Sequence, residues 1–222
     1  MKTLLKILIF ISISLSTNAF ANNEWNFDSE NNLKDPVILG NIDAKISIIE
    51  YSSLTCSHCA DFSKNGYKHL KEKYIDTGLV NFELRPFPLN AVDLNAYKLL
   101  YCAARKDFHK LNKTLLSTQS KWIVTNDQEK VLENSTEALT KQAGLFGVTS
   151  DDFDSCLNNE KLTNFILKSR IDAVKEYEVN STESLSDNQE DNKTNNLDEE
   201  KQVVSNGISI ENASYIEDNI DI

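Results

Sequence analysis

The residues best suited to chemistry in this 222-residue sequence are Cys56-Ser57-His58-Cys59. Two thiols three positions apart can close a small disulfide ring. Where such a pair opens a helix, the free N–H groups and the positive end of the helix dipole lie at the first cysteine and favour thiolate over thiol. The spacing therefore predicts Cys56 as a nucleophile of lowered pKa. Cys59, one turn further in, is predicted to be the more buried, resolving thiol. Ser57 adds a hydroxyl near the sulfur, and His58 places an imidazole beside Cys56. A positive or hydrogen-bonding histidine stabilises the thiolate and hence the reduced form, which makes the disulfide a stronger oxidant. Two other uses of the pair fit less well. As a structural staple, so short a ring constrains the unfolded chain little. As a metal half-site it needs two further ligands, and His69 and His109 read as surface residues. No metal site is predicted on that ground, and no nucleotide or flavin cofactor, since no Gly-rich phosphate loop occurs.

The flanking segments supply the elements such a pair requires. Lys45 to Ser52 is β-branched and mostly apolar, the pattern of a buried central strand. Phe62, Gly66, Leu70 and Tyr74 recur four apart and mark one face of a helix, with Thr55 as its N-cap and its end between Asp76 and Gly78. Leu79 to Arg85 reads as a second strand, stopped by Pro86-Phe87-Pro88. From Asp93 to Tyr177 the pattern is helical with short breaks. Its stripes are Leu94, Tyr97, Tyr101 and Ala104; Phe108, Leu111 and Leu115; Val131, Leu132, Leu139 and Ala143; Phe153, Cys156 and Leu157; and a last long one from Leu162 to Tyr177. Thr149 to Asp152 has the form of a capping box. Glu183 to Lys201 is rich in Ser, Asp, Asn and Glu and reads as an acidic disordered insertion. Gln202 to Ile222 regains a weak strand pattern with Asn206-Gly207 as a hairpin turn.

The chain opens like an export signal. Lys2 and Lys6 precede an apolar run from Leu4 to Leu15, and Ala19-Phe20-Ala21 is an A-x-A cleavage site. Residues 1–21 are thus expected to be a signal peptide and 22–36 a flexible arm. Removing Lys2 and Lys6 with the leader takes the formal net charge from −11 to −13. Such a chain does not seek phosphate backbones or anionic lipid, so nucleic-acid binding is not expected. Export also changes how the cysteines read, since an even number in an oxidising compartment suggests pairs. Cys102 and Cys156 both fall on apolar helix faces and are expected to form a structural disulfide, the other reading being two buried free thiols.

Ile49-Glu50-Tyr51-Ser52-Ser53-Leu54-Thr55-Cys56-Ser57-His58-Cys59 resembles the active-site segment of DsbA-like oxidoreductases, and Leu39 to Ala44 resembles the family's opening turn. The resemblance runs from about Val37 to Asn180. It implies an α/β protein, a thioredoxin fold over 37–222 with an inserted helical domain over 93–177. It also implies that Glu50 lies beneath the disulfide and shuttles the proton of Cys59. The implied activity is donation of the Cys56–Cys59 disulfide to folding periplasmic or secreted proteins, with a DsbB-like membrane quinone reductase as reoxidant and a monomer as the working form. One departure stands out. The family carries a cis-proline after the last long helix, whereas here the only prolines are Pro36, Pro86 and Pro88. That absence implies weaker peptide binding and leaves a second reading, a non-catalytic or degraded thioredoxin-fold binding protein.

Overall fold

The computed structural model describes Leu33, residues 36–177, Val179, and the backbone of residues 185–186 and 201–205. The expected signal peptide, most of the expected arm and the Asn206-Gly207 turn lie outside the described residues.

A five-stranded mixed sheet in the order β1-β3-β2-β5-β4 carries the site. β2 (Ile46–Ser52) is its centre. It runs parallel to β3 (Val80–Pro86), with Glu50 opposite Leu84 and Ser52 opposite Pro86. On its other side it runs parallel to β5 (Lys201–Ser205). β1 (Ile38–Gly40) pairs antiparallel with β3, and β4 (Leu185–Ser186) pairs antiparallel with β5. A strand paired on both edges and covered on both faces needs apolar side chains in both directions. Ile46 and Ile48 accordingly point into the main core, and Ile49 and Tyr51 into a smaller cluster with Phe87, Ala173 and Val179. The expectation of one disordered stretch over 183–201 is corrected at its ends, where Leu185-Ser186 and Lys201 join the sheet. Ladder bonds use backbone groups, so two residues can pair inside a segment whose average composition is too polar for a core.

The helix after the CxxC is one helical path of four pieces: α1 (Ser57–Asp61), a π segment (Phe62–Gly66), α2 (Tyr67–Leu70) and a second π segment (Lys71–Ile75). The i+4 stripe explains them. In a pure α-helix, residues four apart drift by ~40° a step and would leave the buried face. Wide turns closed by i→i+5 bonds, such as Asp76 N–H to Lys71 O at 2.8 Å, take up that drift. Phe62, Gly66, Leu70 and Tyr74 are consequently all buried. Gly78 (φ 78°) then turns the chain toward β3, a conformation that favours glycine.

Among the described residues six α-helices follow, with a 3-10 turn (Arg105–Asp107) between the first two: α3 (Ala91–Cys102), α4 (Phe108–Ser117), α5 (Gln119–Trp122), α6 (Val131–Gly144), α7 (Ser150–Leu157) and α8 (Glu160–Tyr177). Asn90 caps α3 by accepting from Asp93 N–H at 2.9 Å. Thr149 and Asp152 form the reciprocal capping box of α7. α3 is the hub, with Ala96, Tyr97, Leu99 and Leu100 all fully buried. Cys102 at its end is disulfide-bonded to Cys156 of α7, their Cα atoms 6.4 Å apart, within the span a disulfide allows. Two stripe residues are corrected. Ala104 lies beyond the end of α3, and Leu132 is 45% exposed because it sits on the outer side of the first turn of α6. Of the arm, Leu33 is half-buried against the main core. Arg105 and His109 hold the carbonyls of Pro36 and Val37 at 2.7 and 3.3 Å. His109 is thus a half-buried tether rather than a surface residue, and burial lowers its pKa. His69 is exposed, its ring edge-on to Tyr74.

Candidate active site

Cys56 sits in extended conformation (φ −82°, ψ 129°) as the N-cap residue of α1. The cap is therefore the cysteine itself and not Thr55. The Thr55 hydroxyl is already engaged, receiving a hydrogen bond from Asn90 Nδ2 at 3.1 Å and lying 3.2 Å from Ser53 Oγ. Cys56 Sγ makes no capping bond to the first turn; the Cys59 thiol donates to it instead. Neither cysteine is disulfide-bonded in this structure; the first is 9% exposed and the second fully buried. The Cys59 thiol is pushed far up, first by its hydrogen bond to Cys56, then by burial and by the charge of Glu50. Ser53 N–H, 3.5 Å from the Cys59 sulfur, and the Ser52 hydroxyl act in the opposite direction.

Glu50 is buried in mid-sheet, on the same face of β2 as Ser52. Burial pushes its carboxyl up to about 7, with the Ser52 hydroxyl pulling the other way. Its charge adds to the upward shift of Cys59 and, after the larger effect of burial, to that of Tyr67, so it faces the sulfur pair and α2 together. His58 lies on the exposed side of α1.

Four side chains complete the site that the sequence did not single out for it. Asp93 of α3 is fully buried. Its carboxylate accepts from Ser53 Oγ, from Leu54 N–H at 2.9 Å and from Leu89 N–H at 2.9 Å. Burial raises it to about 6 against those bonds. It clamps the approach to the CxxC onto the loop after β3. Gln119 of α5 reaches over from the other side, its Nε2 donating to Leu54 O at 2.8 Å and Cys56 O at 2.9 Å. Tyr97 of α3 donates to Ser52 O, and burial holds its phenol well above the usual range, reinforced by Asp93, Cys59 and Glu50. Ser53 ties the Asp93 clamp to Thr55. Asn90-x-x-Asp93 is visible in sequence as a helix start, which accounts for the capping bond but gives no sign of the clamp. Gln119 carries no periodic signal.

The arrangement can do asymmetric sulfur chemistry: one thiol with a narrow opening to solvent at the helix start, one fully buried thiol that resists ionisation, and a carboxyl raised to near neutrality on the neighbouring strand. Among the described residues, no cluster of three His, Cys, Asp or Glu side chains could hold a metal ion.

Comparison with known proteins fits this geometry. A family model described as Thioredoxin matches residues 32–204. The crystal structure of α-DsbA1 from Wolbachia pipientis is 32% identical, with a TM-score of 0.59, over 67% of this chain and 72% of that one. A protein-disulfide isomerase from Novosphingobium aromaticivorans shares the fold at 22% identity and a TM-score of 0.60, over 65% of this chain and 82% of its own. A curated relative from Rickettsia bellii, which bears a protein-disulfide oxidoreductase name, is 34% identical over 135 residues, 60% of this chain. The chain spans about half the length of that relative, 49%. The expected fold class holds, an α/β thioredoxin fold with helices inserted after β3. The chain belongs to the thioredoxin family, as a DsbA-like member.

Proposed function

We propose that this chain is a thiol:disulfide oxidoreductase that donates its Cys56–Cys59 disulfide to thiol pairs in exported proteins. The observation that carries the reading is the asymmetry of the two sulfurs. Cys56 is 9% exposed at a helix start, while Cys59 is fully buried, hydrogen-bonded to Cys56 and raised in pKa.

In the oxidised form a substrate thiolate attacks Cys56 Sγ. The Cys56–Cys59 bond breaks, a mixed disulfide forms, and Cys59 departs as a thiolate. Glu50, protonated near neutrality, supplies the proton that makes Cys59 a thiol. A second substrate thiolate then attacks the substrate sulfur of the mixed disulfide. Cys56 leaves as a thiolate stabilised by the Cys59 S–H and the helix dipole, and the substrate carries the new disulfide. His58, beside Cys56 in sequence, favours that thiolate. Reoxidation falls to a membrane quinone-linked partner of the DsbB kind, with Glu50 taking the Cys59 proton back. The leader pattern over residues 1–21 supports a periplasmic location, and the relatives' names support the chemistry.

The absence of any proline after Pro88 favours the rival reading, a thioredoxin-fold binding protein without turnover. Oxidation of a reduced two-cysteine peptide by the oxidised mature chain separates the two. One equivalent of peptide disulfide, abolished by Cys56→Ser, is expected. Unchanged partner binding by Cys56→Ser with no peptide oxidation by the wild type overturns the enzyme reading.

A further inference from the structure

Ser52 holds a hydroxyl where an ordinary sheet residue would hold a methyl group. The residue is fully buried. Its backbone carbonyl already accepts from Phe87 N–H at 2.8 Å and from the Tyr97 phenol. Its Oγ, however, has no hydrogen-bond partner of ordinary geometry. A buried hydroxyl in that condition costs stability, and alanine would build the same strand without the cost. The hydroxyl is not remote from chemistry. It sits two residues after Glu50 on one face of β2 and one residue before Ser53, whose N–H points at the Cys59 sulfur 3.5 Å away. It acts on both the Glu50 carboxyl and the Cys59 sulfur, lowering each.

We propose that the Ser52 hydroxyl is the proton conduit between Glu50 and Cys59. This rests on the oxidoreductase reading and deepens it. A serine hydroxyl accepts one hydrogen while donating another. As the Cys56–Cys59 bond breaks, Ser52 gives its proton to the Cys59 thiolate and takes the proton of the Glu50 carboxyl. Cys59 ends as a thiol, Glu50 as a carboxylate, and Ser52 is unchanged. On reoxidation both transfers reverse, so no proton need enter from solvent. An orphan hydroxyl suits the task, because a group locked into one strong bond does not turn between two partners.

The test is the rate at which glutathione opens the oxidised site, corrected for thiolate fraction and followed across pH. The titratable groups facing the relay are Glu50 on β2, Cys56 and Cys59 at α1, Tyr67 on α2, and Asp93 and Tyr97 on α3. In the wild type the rate falls as pH rises through the Glu50 titration. Ser52→Ala is expected to be at least about tenfold slower on the acid side and flat with pH. Glu50→Gln is expected to behave alike, with no further loss in the double variant. A structural role for Ser52 would only move the midpoint of the profile upward at full amplitude, which overturns the proposal. A slow Glu50→Gln beside a normal Ser52→Ala overturns the conduit and leaves the Glu50 reading intact. Normal rates in both variants sink Glu50 and Ser52 together, and a wild type that does not exchange sinks the oxidoreductase reading as well. A measurement on the wild type alone guards against a misfolded variant. A two-proton relay gives a curved dependence of rate on the deuterium fraction of the solvent, and a straight line contradicts it.

Discussion

Two buried carboxyls with raised pKa values should respond in opposite ways to loss of their charge. Glu50 is raised from 4.5 to about 7 chiefly by burial. Its folded pKa lies above its unfolded one, so the folded state holds the proton more tightly. The associated stability is full below the unfolded value and is lost as pH rises through about 7. Glu50→Gln removes that loss. The reduced variant is expected to be more stable than wild type by roughly 3 kcal/mol at about pH 8, the gain vanishing by about pH 4. Urea unfolding at the two pH values checks it, and a gain that persists at low pH would contradict the linkage. Asp93 is also raised by burial, but its oxygens are held by Ser53, Leu54 and Leu89. Asp93→Asn turns one acceptor into a donor facing an N–H. It is expected to destabilise by about 1–3 kcal/mol, read from the same urea curves, and to loosen the loop ahead of Cys56.

The elements around the site differ in how far local sequence specifies them. β2 and the helix after it are legible because each carries its own pattern: a β-branched, mostly apolar run from Lys45 to Ser52 that suits a strand buried on both faces, and the i+4 stripe from Phe62 to Tyr74. Even the π turns follow from that stripe once the drift of an α-helix is considered. Cys59 lay inside the helix because a three-residue step puts it there. The clamps were not legible, since each joins residues far apart in sequence. Asp93 is 40 positions from Ser53, and Gln119 is 63 positions from Cys56. α5 spans only four residues, yet it anchors Gln119 above the CxxC and seals Trp122 in the core, its Nε1 donating to Leu115 O at 2.9 Å. Gln119→Ala is expected to cost about 1 kcal/mol in urea unfolding. Gln119→Glu is expected to cost more, because a carboxylate would face two carbonyl oxygens. The opposite order would show that the Gln119 bonds do not hold the site. The Cys102–Cys156 bond closes a 54-residue separation between α3 and α7. Replacing both by alanine is expected to cost roughly 4 kcal/mol on the loop-entropy view, while thiol titration should still find the Cys56–Cys59 pair.

At the scale of the whole molecule, the sheet carries the Glu50 carboxyl and the Ser52 hydroxyl, and the inserted helices hold the sulfur loop against it. Glu50 and Ser52 come from β2, Asp93 and Tyr97 from α3, and Gln119 from α5, so the inserted helices are part of the site and not an appendage. Resemblance in the CxxC segment indicated the fold class because that segment joins the central strand to the site helix. It could not indicate how β5 lies beside β2, since the polar run from Glu183 to Lys201 separates that strand from α8 and carries no pattern that fixes direction. Among the described residues no helix is long and apolar enough to cross a membrane. The central claim is that this frame makes the sulfur pair a disulfide donor even though the sequence has no proline after Pro88. The most direct test is the redox equilibrium of the Cys56–Cys59 pair in the mature chain against glutathione buffers. The account predicts a reversible couple well above the thioredoxin value of about −270 mV. No reversible couple, or one at or below that value, would contradict it.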